Sequence, residues 1–133
     1  MKSSDNSFRY HQKQLLALYQ YCSVELPFSS KQANDVDKDF LNALKNLSDA
    51  DQATEDYSFE GQSLLCRIVS QYSHITPAIN RDLLWYFGGD CLHYLSDKEI
   101  SQYQQLDELL FEAHKQGQTL DRATAKGRIF KLH

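Results

Sequence analysis

Apolar residues recur along most of this chain at intervals of three and four, the spacing that lines one face of an α-helix. Phe8, His11, Leu15, Leu16, Leu18, Tyr19 and Cys22 form the first such stripe, with Ser7 as a plausible cap and a Gln/Lys-rich back. The second is the most regular: Val36, Phe40, Ala43, Leu44 and Leu47 follow Asn34 or Asp35 as cap. Asp35, Asp37 and Asp39 there suit the positive end of a helix dipole. A third helix is expected from about Ser58, with Leu64, Leu65, Ile68, Val69 and Tyr72 inward. Leu26 to Ser30, around Pro27, reads as a connection, and 48–56 as an acidic loop.

The fourth helix carries the densest aromatic run. Thr76 is a good N-cap, Pro77 fits the first helical position, and Ile79, Leu83, Tyr86, Phe87, Cys91, Tyr94 and Leu95 keep helical spacing. Gly88 and Gly89 interrupt this face, each costing about 1 kcal/mol against Ala in a helix interior. Two readings follow: the helix breaks there at a left-handed glycine cap, or it continues, kinked, and another backbone passes close by. The periodicity favours the continuous helix. Ser96-Asp-Lys-Glu99 is then a capping box for a fifth helix with Ile100, Tyr103, Leu106, Leu109, Leu110 and Ala113 inward, and Gly117 is an apt terminator.

The expected fold is all-α: a single-domain antiparallel bundle of about five helices over 1–133, with residues 1–6 frayed and a short basic tail, 118–133, docked on the body. The tail has Arg122, Lys126, Arg128 and Lys131 against Asp121, whereas 35–56 holds seven acids and two lysines, an acidic surface for it to meet. Ile129, Phe130 and Leu132 would anchor it. The expected core is Leu15, Tyr19, Phe40, Leu44, Leu65, Ile68, Val69, Leu83, Phe87, Cys91, Leu106 and Leu110.

Composition narrows the class. In 133 residues there are only two prolines and five glycines, which favours helices over many short strands, and one hydrophobic core is within reach of this length. A formal net charge of −4 makes nucleic acid an unexpected partner. No apolar run approaches a membrane span, and the polar N-terminus does not read as a secretory leader. Three cysteines, Cys22, Cys66 and Cys91, lack close pairing in sequence and fall on apolar faces. Inert buried thiols and a cytoplasmic location are expected.

Catalytic signatures are missing. Neither Glu-x-x-His nor His-Glu-x-x-His, neither Cys-x-x-Cys nor a phosphate-binding glycine pattern occurs, so no metal and no cofactor are expected. The one candidate cluster is Tyr86, Asp90 and His93, which a continuous fourth helix would place along one edge, with His74 able to approach. Its bland reading is an Asp–His hydrogen bond at the rim of the core. Trp85, Tyr86 and Phe87 cannot all face one core at about 100° per residue. A homodimer interface at Trp85, Tyr86, Gly88 and Gly89 would cover the outward ring. The leading function is therefore a non-enzymatic interaction or regulatory module with an unknown protein partner; the alternative is a ligand- or metal-dependent helical enzyme built around Asp90 and His93.

Leu84-Trp-Tyr-Phe-Gly-Gly-Asp-Cys-Leu-His-Tyr-Leu95, followed by Ser-Asp-Lys-Glu-Ile100, resembles a segment of a small uncharacterised bacterial family of helical proteins. The resemblance covers about the C-terminal half. It implies a bacterial origin and no named reaction, and it transfers no functional residue.

Overall fold

The computed structural model describes residues 2–130, with side chains from Ser7 onward. Among these residues there is no strand, and eight helical segments replace the expected five. They are α1 (Lys2–Ser23), α2 (Asp35–Ser48), α3 (Glu55–Gln71), a first 3₁₀ helix (Ser73–Ala78), α4 (Arg81–Phe87), a second 3₁₀ helix (Gly89–Tyr94), α5 (Asp97–Lys115) and α6 (Arg122–Phe130). Among the described residues no helix is long and apolar enough to cross a membrane.

The extra segments come mostly from the stretch expected to be one helix. Thr76 and Pro77 lie inside the first 3₁₀ helix, and α4 starts later, where the Asn80 side chain accepts from the Asp82 amide at 2.9 Å. After only seven residues α4 stops at Gly88, with φ of 66°, followed by Gly89 with φ of 55°. Positive φ is cheap for glycine alone, so the pair that looked like a kink is a helix terminator. Gly89 also faces Gln62, whose Nε2 donates to the Phe87 carbonyl at 3.0 Å; a Cβ at 89 would collide with that amide.

The first and last turns differ from expectation in a similar way. Helix α1 begins at Lys2, so Ser7 sits inside it and Lys2 to Asn6 are helical in place of frayed. The basic tail is a helix, α6, packed on α5 with the Phe130 ring 4.9 Å from Tyr103. Lys131 and Leu132 lie outside the described residues.

Other caps follow the sequence. Asn34 and Asp37 make a capping box on α2, and Ser96 and Glu99 make one on α5. Thr54 caps α3, which begins at Glu55, three residues before the expected start at Ser58.

The chain divides into two compact units, 1–92 and 93–133. In the first, α1 packs on α2 and α4, and α3 packs on α2, α4 and the first 3₁₀ helix. Its core includes Leu15, Leu18, Phe40, Leu44, Leu64, Leu65, Ile68, Ile75 and Leu83, each no more than 2% exposed. Of the expected core, Tyr19 and Val69 are only half-buried. In the second unit Tyr103, Leu106, Ala113 and Ala125 are buried, while Leu110 is half-buried. The close backbone approach anticipated at Gly88 and Gly89 occurs at Gly61, where α3 passes beneath the Phe87 ring so tightly that a Cβ would fall within it.

Candidate functional site

Helices α1 and α4 meet along a polar seam. On α1, Tyr10 and Gln14 are one turn apart and converge on Asp82 of α4: the Tyr10 hydroxyl donates to Oδ2 at 2.6 Å and the Gln14 amide donates to the same atom at 3.2 Å. Asp82 is fully buried, and such a carboxylate is tolerable only when its lone pairs are occupied by donors of this kind. One turn further along α4, Tyr86 stacks on the buried His11 with ring centroids 3.9 Å apart and planes 8° from parallel. The His11 Nδ1 is 2.7 Å from the Ser7 carbonyl, which fixes the ring against α1.

A second layer ties this seam to α2 and α3. Gln12 Nε2 donates to the carbonyls of Leu47, Ser48 and Ala50 at 3.1, 2.8 and 3.2 Å, the last turn of α2 and its exit. The amide oxygen of Gln12 accepts from the Tyr57 hydroxyl of α3 at 2.5 Å. Tyr57 is in turn hydrogen-bonded to Tyr86, and burial pushes both phenols above their ordinary values. One Gln side chain thus joins three helices.

Tyr86 also reaches outward. Together with Ser7, Phe8, Asp51, Gln52, Ala53 and Ser58 it lines a cleft of about 420 Å³ between α1, the α2–α3 loop and the start of α3. The lining carries two aromatic rings, three hydroxyls counting that of Tyr86, one amide and one carboxylate, and no base. Between Asn46 and Cys66 the chain holds five acids and no base, so the field around this side of the cleft is negative. A group with positive charge and some apolar body is the chemistry such a lining accepts, through the ring faces and the carboxylate together.

The candidates expected from sequence fare differently. Tyr86 is in the site, but the shared helix edge of Tyr86, Asp90 and His93 does not exist, because α4 ends at Phe87. Asp90 and His93 belong to the second 3₁₀ helix, and both are exposed. His74 bonds instead to the Leu26 carbonyl at 2.6 Å. Trp85 is half-buried, and Gly88 and Gly89 serve the chain turn described above. No group of three or more His, Cys, Asp or Glu side chains among the described residues could hold a metal ion. The thiols of Cys22 and Cys91 are buried and pushed up to about 11 and about 12, first by burial. Cys66 is only half-buried.

Sequence reasoning missed Tyr10, Gln12, Gln14 and Asp82, and read His11 only as part of an apolar stripe. The available signal was register: Tyr10 and Gln14 lie four apart on α1, as Asp82 and Tyr86 do on α4, so each pair marks one helix edge.

A family model described as PA2817-like matches residues 3–133, nearly the whole chain and so well beyond the C-terminal half. The chain belongs to the PA2817-like family. That description supplies no reaction, substrate or partner. No curated protein and no solved structure matches the chain.

Proposed function

We propose that this member of the PA2817-like family is a non-enzymatic interaction module whose recognition site is the Tyr86 cleft, and that it takes a cationic side chain of a partner protein. The observation that carries this reading is the double role of Tyr86. One part of its ring and its hydroxyl are held by His11 and Tyr57, while another part lines an open cleft with acidic surroundings. A floor anchored in this way is preorganised, which lowers the ordering cost of binding. Phe59, 75% exposed on the turn of α3 that carries Ser58, offers further apolar area for a partner.

The buried polar groups support the non-enzymatic side of the reading. Asp82, Gln12 and Tyr57 spend hydrogen-bonding capacity on joining helices. A cytoplasmic setting fits the free thiols. Self-association is a separate proposal: the interface at Trp85, Tyr86, Gly88 and Gly89 keeps its ring area but has lost the close helix approach that motivated it. A monomer in light scattering would end it.

The cleft reading is tested with the sole tryptophan, Trp85, which precedes Tyr86. Titration with the tripeptide Gly-Arg-Gly should give a saturable change in fluorescence that Asp51→Asn weakens several-fold, and Gly-Glu-Gly should give none. Equal responses to both peptides, or to neither, would refute the cationic-side-chain reading.

A further inference from the structure

The two sulfur-bearing residues of the first unit that converge in space are Cys66 and Cys91. The Cys91 thiol sits 3.9 Å from the Gln62 carbonyl of α3, the same carbonyl to which the amide of Cys66 is directed one helical turn later. The two thiols are near enough to interact, Cys66 adding to the upward push on the Cys91 thiol. Their approach is made by the chain reversal at Gly88 and Gly89, which brings Cys91 back over α3 and leaves its sulfur fully covered. Cys66 is half-buried, so a small reagent has a way in at that sulfur.

We propose that Cys66 and Cys91 are a redox pair, which a low-molecular-weight disulfide oxidises to an intramolecular disulfide that ties the Gly88–Gly89 turn to α3. The Cys66 thiolate attacks one sulfur of the reagent, forming a mixed disulfide and expelling one thiolate. Cys91 then gives up its proton and attacks Cys66 Sγ, and the second reagent thiolate leaves as the thiol. Two protein thiols are oxidised and one reagent disulfide becomes two thiols.

The order of attack follows from the surroundings. Burial, and Cys66 beside it, hold the Cys91 thiol up to about 12, so it is a poor first nucleophile and unreachable from outside. Placement beside the same turn of α3 makes it an effective second one, since an intramolecular attack has a high effective concentration. The remaining closure to bonding distance falls on residues 88–91, where two glycines in a turn and a short 3₁₀ helix can adjust. Cys22, buried on α1 beside Glu25, is outside the pair.

The test is intact-mass and peptide mapping of the full chain after incubation with oxidised glutathione under native conditions, followed by quenching with iodoacetamide in denaturant so that every remaining thiol is alkylated. The expected product has lost two hydrogens, links the peptides holding Cys66 and Cys91, and leaves Cys22 alkylated; dithiothreitol reverses it. Cys91→Ser should stop at a stable glutathione adduct on Cys66, and Cys66→Ser should take up no glutathione at Cys91. A wild-type protein that accumulates the Cys66 adduct without closing, links Cys22, or reacts only after denaturation would overturn the pair. Because the wild-type map stands alone, a poorly folding variant does not rescue the idea.

Discussion

Gly61 illustrates how a single residue sets the packing. With Phe87 lying directly over its Cα, Gly61→Ala forces the ring, the backbone or both to move, and overpacking of this kind costs about 1–3 kcal/mol. A urea melt of Gly61→Ala should show that loss; an unchanged midpoint would mean the α3–α4 contact is looser than described. The buried acids make a second prediction, for alkaline pH. Cys22 is pushed up to about 11, Tyr72 to about 12 and Tyr57 upward as well, in each case chiefly by burial. A raised folded-state pKa means that the folded protein holds its proton longer than the unfolded chain. The stabilisation is complete below the ordinary thiol and phenol values of about 8.5 and 10, and is lost as pH climbs through the folded ones. Denaturant midpoints should therefore be level near neutrality and fall between about pH 9 and 12, and Tyr72→Phe should flatten part of that fall. A midpoint independent of pH over this range would contradict the burial of these groups.

Among the elements, Gln12 joins α1 to the exit of α2 and to Tyr57 of α3, a span no apolar residue at that position could reproduce. Gln12→Ala leaves the Tyr57 hydroxyl and carbonyls at the end of α2 short of partners, at a cost of about 1–3 kcal/mol. Hydrogen exchange should quicken at the last turn of α2 and the first turn of α3 more than in α5, and uniform protection would argue against the staple. The caps of α2 and α5 and the apolar faces of α2, α3 and α5 were legible because they depend on neighbours three and four residues away. The polar seam was not, since Tyr10 and Asp82 are 72 positions apart and nothing local pairs them. Residues 76–95 misled for the opposite reason. Their apolar spacing is helical throughout, but Pro77 falls within a 3₁₀ turn and the positive φ of Gly88 and Gly89 ends α4, outweighing periodicity over so short a helix. Tyr86 lines the cleft on α4 because its place precedes that break.

For the whole molecule, residues 1–92 carry every part of the cleft, from Ser7 and Phe8 on α1 to Tyr86 on α4, and the interior bonds that hold its floor. The sequence showed an acidic loop there but not the cavity, because a cavity exists only after α1, α3 and α4 have packed. Residues 93–133 have their own cleft of about 460 Å³, lined by Leu109, Glu112, Ala113, Gln116, Gln118, Thr119, Leu120 and Arg128, and its mixed charges make it a natural internal control. Cation recognition by the Tyr86 cleft is measured most directly by an amide chemical-shift titration of the labelled full chain with Gly-Arg-Gly. Shifts should gather at Ser7, Phe8, Asp51 to Ala53, Ser58 and Tyr86, saturate by about millimolar peptide and be much reduced in Asp51→Asn. Shifts centred on the Glu112–Arg128 cleft, or none over that range, would contradict it.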